Sequence, residues 1–189
     1  IPFSDGTDMM GSCRNPAAYT NLYGFRPSPG LIPDKRGESK YPVLTTPGGI
    51  ARTPEDLSIF LDSVSGQDDE DHYSYSFEGS FRSIEKNLNS EIRIGWLSNF
   101  VENYTFEKGI IELCEVALNQ FATAEKKISI EQCNIKIDPN KLWEVWCNLR
   151  SKITFDDLAA MQIQNFEELG FPAKWEYEQG EKIKEVEIS

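Results

Sequence analysis

The stretch GTDMMGSCRNP, residues 6–16, presents a serine in a setting where it could act as a nucleophile. Ser12 directly follows Gly11, and a glycine there allows close approach of the backbone to a ligand and unusual dihedral angles. A serine hydroxyl reacts well only when a base takes its proton and hydrogen-bond donors stabilise the oxyanion. The groups around Ser12 therefore decide whether this serine can do chemistry.

Consecutive backbone N–H groups lie next to the candidate nucleophile. Those of Met9, Met10, Gly11 and Ser12 itself could form a small concavity for a developing negative charge. Such a concavity is the arrangement that an oxyanion hole requires.

Two opposite charges flank the serine. Asp8 and Arg14 are six residues apart, and a bidentate pair between them would hold the loop rigid. The local residues also fit a plainer alternative, in which Ser12 lies in an ordinary turn and the pair is a weak surface interaction. In that alternative the two methionines fill gaps in the core. Local chemistry alone leaves both interpretations open.

Other reactive groups give little support for a second kind of centre. His72, the single histidine, lies in an acidic segment, which disfavours a Ser–His–Asp hydrolase. The acidic run 67–72 lacks the ligand order of a calcium loop, so we predict no metal and no cofactor. The cysteines are too widely spaced for zinc, and we expect reduced thiols in a reducing, cytoplasmic compartment; they are Cys13, Cys114, Cys133 and Cys147.

Composition and charge limit the classes of partner. With 189 residues and 39% hydrophobic residues, the chain is long and apolar enough for one globular domain. The net charge of −12 disfavours nucleic acid and anionic membrane surfaces as partners, since both would repel it. No apolar run reaches the roughly 18 residues that a membrane-spanning helix needs. We therefore expect neither nucleic acid nor membrane to be bound.

The order of predicted elements is that of an α/β protein. Residues 1–52 predict short strands and loops, with one strand near 41–45. Thr53 and Pro54 begin a clear amphipathic helix that ends at Gly66, and residues 67–90 form an exposed connection. The remainder alternates: strands at 91–98 and 127–137, and helices at 105–124, 139–153 and 154–170, the last capped by Thr154.

Three ordered segments carry a more specific signal. SDGTDMMGSCRNPA (4–17) follows the pattern G-(S/T)-D-x-G-G-S-x-R-x-P-(A/S), and GFRPSPG (24–30) follows G-(L/F)-(K/R)-P-(S/T)-x-G. TTPGGIARTPEDLSIFLDSVSGQD (45–68) is similar to G-P-(M/L)-A-R-(T/S)-v-x-D-(L/A) and the helix after it. In this order and spacing, the segments resemble the signature of the amidase signature enzymes.

The resemblance implies a function and a set of roles. Such enzymes hydrolyse carboxylic amides through an acyl-enzyme, with a Ser–cis-Ser–Lys arrangement in which a neutral Lys acts through the bridging Ser. It implies Ser12 as the nucleophile and a mixed central sheet flanked by helices as the fold. By the same resemblance the oxyanion donors are the N–H groups of Met9, Met10, Gly11 and Ser12, and the supporting residues are Thr7, Asp8 and Arg14.

The chain departs from the family pattern at two positions, Met10 and Gly49, the latter standing where Pro is usual, and it lacks upstream residues that the family has. Met10 stands where the family usually has Gly, which narrows the approach to the oxyanion site. The family's Lys and bridging Ser lie well upstream of the nucleophile, yet only eleven residues precede Ser12; Lys35 and Lys40 are expected to be solvated surface charges. We therefore expect residues 1–189 to be a middle-to-C-terminal portion of one amidase-like domain, with little activity alone. Its regions would be 1–66 with the nucleophile, the 67–90 connection, and 91–189 as an α/β continuation.

The expected partners follow from the resemblance. They are a small-molecule amide substrate and the missing N-terminal portion of the same protein, with a homodimer left open. Two alternatives to a hydrolase remain: a non-catalytic amidase-like scaffold, and the A-type component of a tRNA-dependent amidotransferase, which shares the signature. The charge of −12 and the unusual Met10 argue mildly against the amidotransferase.

Overall fold

The structure is a computed structural model, and it describes residues 1–34, 44–83, 91–97, 104–124, 127–161 and 166–183. The chain divides into two compact units, Ile1–Ile84 and Glu85–Ser189. The division falls inside the predicted connection 67–90, of which residues 84–90 lie outside the described residues.

The first unit contains a three-stranded antiparallel sheet and two helices. Its strands are β1 (Phe3–Asp8), β2 (Tyr23–Phe25) and β3 (Thr46–Ala51), in the order β1-β3-β2. Helix α1 (Arg14–Thr20) follows β1, and helix α2 (Pro54–Val64) follows β3. The chain between β1 and α1 is therefore a short loop, and this loop contains Ser12.

The two faces of this sheet have different neighbours. On one face, Phe3 of β1 packs against Phe60 of α2, with ring centroids 5.7 Å apart. On the other face, a Cβ atom on Gly6 would lie 3.1 Å from Cys13 Sγ. Because side chains alternate along a strand, Gly6 and Asp8 face the Ser12 loop, whereas Phe3 and Thr7 face α2.

Helix α2 confirms the prediction made from its capping residues. Thr53 Oγ1 accepts a hydrogen bond from the Asp56 N–H at 3.0 Å, and Pro54 occupies the first helical turn. Its apolar stripe forms the core of the unit together with two residues of the loop after β2. The buried members of this core are Leu31, Ile32, Phe60 and Leu61.

The N-terminal region departs from the expectation of strands and loops. Helix α1 is absent from the sequence-based prediction, and it is only seven residues long. Its N-cap, Cys13, makes no side-chain capping hydrogen bond, so the usual signal for the start of a helix is absent. The helix is followed by its C-cap, Asn21, in the left-handed conformation. The strand predicted near 41–45 begins later, at Thr46; residues 41–43 lie outside the described residues.

The second unit begins with a strand–helix–strand arrangement. Strands β4 (Ile92–Trp96) and β5 (Ile128–Gln132) pair in parallel, and helix α3 (Ile110–Ala124) lies between them in sequence. Trp96 Nε1 donates a hydrogen bond to Glu115 Oε1 at 3.3 Å, which joins β4 to α3. Two parallel strands need a crossover connection, and here helix α3 provides it. This agrees with the strand–helix–strand order predicted from the sequence. Both strands are shorter than predicted, and residue 98 lies outside the described residues.

Two packed helices complete the second unit. They are α4 (Pro139–Ala160) and α5 (Phe171–Lys182). A Cβ atom on Gly180 of α5 would lie 2.1 Å from the Ser151 carbonyl oxygen of α4, so the glycine allows the helices to meet backbone to backbone. Phe155 and Tyr177 add a ring contact with centroids 4.9 Å apart.

The division predicted between helices 139–153 and 154–170 is wrong. Helix α4 continues through Thr154 to Ala160, so the threonine does not begin a new helix. Its Oγ1 instead donates a hydrogen bond to Glu176 Oε2 of α5 at 2.9 Å. Residues 162–165 lie outside the described residues, and the sequence-based prediction lacks α5. The α/β class is nevertheless confirmed, with antiparallel pairing in the first unit and parallel pairing in the second.

Candidate active site

The Ser12 loop is held in a conformation that a glycine permits. Ser12 is exposed to solvent between the buried residues Gly11 and Cys13. Gly11 has φ +105°, which L-amino acids rarely adopt, and a Cβ atom there would lie 2.8 Å from the side-chain amide of Asn15. The Asn15 N–H also donates to the Gly11 carbonyl oxygen at 2.6 Å. The loop therefore turns sharply at Gly11 and presents the serine outward.

The carboxylate of Asp8 lies under this loop and binds its backbone. Asp8 is 0% exposed. Its Oδ1 accepts a hydrogen bond from the Gly11 N–H at 2.7 Å, and its Oδ2 accepts one from the Cys13 N–H at 3.4 Å. Ser12 lies between these two anchored residues, so the carboxylate fixes the loop on both sides of the serine.

Asp8 and Arg14 form the predicted pair. Arg14 Nε donates to Asp8 Oδ2 at 2.9 Å, and Arg14 Nη2 donates to Asp8 Oδ1 at 3.0 Å. These hydrogen bonds hold the pKa of the Asp8 carboxyl far below its usual range, against the opposing effect of burial, and they raise the pKa of Arg14. Because Asp8 is fully buried, the pair is not the weak surface interaction of the plainer alternative.

A second arginine joins the same carboxylate, and sequence reasoning did not assign it a role. Arg26 follows β2, and its Nη1 contacts both the main-chain carbonyl oxygen of Asp8 and, at 3.4 Å, Oδ1 of that residue. Its Nη2 donates to the Leu44 carbonyl oxygen at 3.1 Å. The only sequence signal for Arg26 is its place in the GFRPSPG segment.

The cysteine beside the serine is not available as a second nucleophile. Cys13 is 0% exposed, and burial, followed by the Asp8 charge, raises the pKa of its thiol. A Cβ atom on Gly48 would lie 3.3 Å from Cys13 Sγ, and one on Gly6 would lie 3.1 Å from it. Gly6 and Gly48 are paired across β1 and β3, so the sulfur occupies the space that they leave.

One of the predicted oxyanion donors is already hydrogen-bonded within the loop. The Gly11 N–H, expected as a donor, is instead engaged by Asp8 Oδ1, because one N–H group serves one strong acceptor. Within the described part of the chain, the N–H groups of Met9 and Ser12 make no hydrogen bond. Met10, the residue that departs from the family pattern, is 42% exposed and directly precedes Gly11.

Thr7 does not join the network around Asp8. The alternation along β1 places its side chain on the face toward α2, whereas Asp8 faces the loop. Its expected supporting role therefore finds no contact among the described residues.

The structure also locates the groups considered as bases. His72 is exposed in the first unit, and Lys35 and Lys40 lie outside the described residues. Lys152, in the second unit, is 7% exposed, and its Nζ donates to Asp156 Oδ1 at 2.7 Å. No proton acceptor for Ser12 is therefore found in contact with it among residues 1–34 and 44–83.

The described residues contain neither a metal-binding cluster nor a membrane-spanning helix. No group of three or more His, Cys, Asp or Glu side chains there could hold a metal ion. Across the same residues, none of the helices combines the length and apolar character needed to cross a bilayer. All four cysteines are free thiols.

Comparisons with known proteins agree with the signature. The sequence model of the family described as Amidase matches residues 1–168. The chain is 30% identical over 139 residues to the A-type component of the glutamyl-tRNA(Gln) amidotransferase of Mycoplasma pneumoniae, covering 71% of this chain and 27% of that protein. The corresponding protein of Legionella pneumophila is 32% identical over 144 residues, covering 76% of this chain and 29% of its own length.

Solved structures show the same relationship. A bacterial aryl acylamidase of the amidase signature family superposes with a TM-score of 0.85 at 25% identity, over 100% of this chain and 40% of its own. The 6-aminohexanoate cyclic dimer hydrolase, at 15% identity and a TM-score of 0.82, shares the fold over 99% of this chain and 41% of its own. This chain thus spans between a quarter and two fifths of the length of these relatives. On the match of the family model over most of its length, the chain belongs to the amidase signature family.

Proposed function

We propose that this chain carries the nucleophile of an amide hydrolase and that Ser12 is that nucleophile. The observation that supports this most strongly is the exposed serine on a loop fixed from beneath by a fully buried carboxylate. Such a fixed loop reduces the reorganisation needed when the tetrahedral intermediate forms. Membership of the amidase signature family supports the same reaction class.

The reaction proposed for Ser12 has two halves. Its Oγ forms a bond to the carbonyl carbon of the amide while a base takes the hydroxyl proton. The C–N bond then breaks, the proton passes to the departing amine, and water hydrolyses the resulting ester to release the acid. The backbone N–H groups of Met9, Met10 and Ser12 are the proposed donors to the oxyanion, and Asp8 and Arg14 hold the loop that carries them.

The base is proposed to come from outside this chain. The family resemblance implies a Lys acting through a bridging Ser, and the described residues around Ser12 supply neither. The limited share of the relatives' length that this chain covers, 27% and 29%, supports a further portion of the protein outside this chain. Loss of a general base and its bridge costs several orders of magnitude in rate, so the chain alone should be nearly inactive.

A fluorophosphonate probe tests the nucleophile directly. We define the joined protein as this chain together with the portion that carries the Lys and the bridging Ser. We expect the probe to modify Ser12 in the joined protein and to modify this chain alone far more slowly. Ser12→Ala should abolish labelling. Ser63→Ala is the matched control, since Ser63 is an exposed serine of α2 whose Oγ donates only to the Ile59 carbonyl oxygen. Labelling at another serine, or none in the joined protein, would reject the proposal.

An A-type amidotransferase component is the second candidate, because the relatives at 30% and 32% identity carry that description. The 25% identical aryl acylamidase instead favours a small aryl amide as substrate. Glutamine and an acylated nitroaniline, each offered as substrate to the joined protein before any labelling, distinguish the two. We favour the small-molecule amide, in a cytoplasmic setting consistent with four free thiols.

A further inference from the structure

The guanidinium group of Arg26 connects three segments of the first unit through its contacts. Arg26 Nη1 contacts the Asp8 carbonyl oxygen at the end of β1, and its Nη2 donates to the Leu44 carbonyl oxygen ahead of β3. Arg26 itself follows β2, and its side chain is only 24% exposed. The end of β1, the end of β2 and the approach to β3 therefore meet at a single planar group.

The contact with the Asp8 carbonyl has a directional consequence for the oxyanion site. The Asp8 carbonyl and the Met9 N–H belong to the same peptide group, and the described chain contains no cis peptide bond. In a planar trans peptide the C=O and N–H bonds point in opposite directions. A side chain that fixes the carbonyl oxygen of Asp8 therefore also fixes the direction of the Met9 N–H.

The two arginines at Asp8 bind different parts of that residue. Arg14 binds both carboxylate oxygens through its Nε and Nη2. Arg26 contacts Oδ1 only at 3.4 Å and reaches the main chain instead. Loss of Arg26 would leave the carboxylate paired with Arg14 and Asp8 paired with Thr46 of β3, but it would remove the side chain that holds the peptide group between Asp8 and Met9 from the side of β2.

We propose that Arg26 is a positioning residue, whose guanidinium orients the Met9 N–H toward the oxyanion that forms at Ser12. This inference rests on the proposed function. A guanidinium is suited to the role because its forked donors reach two carbonyl oxygens at once, whereas a lysine has a single nitrogen. A charged donor on the carbonyl also polarises the peptide, which makes the N–H at its other end a better donor.

The first test does not depend on activity. The chain has three methionines, Met9, Met10 and Met161, so labelling with ¹⁵N-methionine gives three amide resonances. Arg26→Lys should shift the Met9 resonance, assigned with Met9→Leu, while Met161 in the second unit stays in place. Arg93→Lys is the matched control, since Arg93 forms a bidentate pair with Glu131 in the second unit. A Met9 resonance that does not move in folded Arg26→Lys overturns the orienting role.

The second test measures catalysis in the joined protein. Arg26→Lys should slow the maximal rate of fluorophosphonate labelling at Ser12 by about 10- to 100-fold, somewhat less than full loss of an oxyanion donor. The concentration for half-maximal labelling should stay within about twofold, because the probe's binding site is unchanged. Each variant is first shown to be folded by circular dichroism; if Arg26→Lys is not, Arg26→Gln, which keeps one donor group, takes its place.

The outcomes separate the two proposals. If the unmodified protein is not labelled at Ser12, the proposed function fails, whatever Arg26 does to the Met9 resonance. If the unmodified protein is labelled and Arg26→Lys matches Arg93→Lys in maximal rate, the positioning role is wrong while the nucleophile stands. A loss confined to the half-maximal concentration also contradicts it, because an oriented oxyanion donor acts on the transition state.

Discussion

Replacement of Asp8 by asparagine is the sharpest test of how the loop is held. Asparagine keeps the shape of the side chain but has one acceptor oxygen and an NH₂ group that can only donate. If its oxygen takes the place of Oδ1, the NH₂ group faces the N–H of Cys13 and Nε of Arg14, which donate to Oδ2. The reverse orientation sets it against the Gly11 N–H, so donors oppose donors in either case.

The expected cost follows from burial. Removing one partner of a buried ion pair destabilises by about 3–5 kcal/mol, because the other charge is left uncompensated. Here Asp8 is 0% exposed but the Arg14 side chain is 53% exposed and can return to water. We therefore expect a loss at the lower end, about 3 kcal/mol, which is more than a 100-fold change in the unfolding equilibrium.

Urea unfolding monitored by circular dichroism measures this change. Asp5→Asn is the matched control, since Asp5 is an exposed residue of the same strand, and its free energy of unfolding should change by no more than about 0.5 kcal/mol. An Asp8→Asn variant as stable as the Asp5→Asn variant would refute the view that the buried carboxylate organises the loop.

Two further predictions concern pH and helix packing. The pKa of Asp8 is depressed in the folded state mainly by hydrogen bonds from Arg14, so its stabilisation is complete above the unfolded pKa of about 3.9 and is lost as the pH falls further toward the folded value. Urea unfolding at pH 5 and pH 3 should show a loss of stability that is smaller in Asp8→Asn. In the second unit, Gly180→Ala would place a Cβ atom 2.1 Å from the Ser151 carbonyl oxygen and 2.6 Å from Phe155 Cβ, and should cost about 1–3 kcal/mol despite the better helix propensity of alanine. An unchanged thermal midpoint for that variant would contradict the packing described.

Features encoded by near neighbours were predictable from the sequence. Helix α2 follows from Thr53, Pro54 and an apolar stripe, all of which act within one or two helical turns. The pair of Asp8 and Arg14 was predictable because opposite charges six residues apart flank a glycine turn. These interactions need only local geometry, which residue type and spacing largely determine.

Features that depend on dihedral angles or on strand register were not predictable. The turn at Gly11 directs its N–H to the Asp8 carboxylate rather than outward, and spacing does not reveal that direction. Arg26 reaches Asp8 across eighteen residues, a contact that exists only because both adjoining strands pair with β3. Thr154 has the appearance of a cap, but its partner Glu176 lies on another helix.

The sulfur of Cys13 lies close to two glycines of the sheet, Gly6 and Gly48. A methyl group added at Gly6 would lie 3.1 Å from the sulfur and would push it aside, whereas a smaller residue at position 13 would make room. A methyl group at Gly48 would also meet the Phe25 carbonyl oxygen at 2.4 Å, which no change at position 13 relieves. Positions 6 and 13 are therefore coupled in what they tolerate. Among homologous sequences these two should covary, with bulk gained at the strand position offset by bulk lost beside the nucleophile, while position 48 should stay glycine.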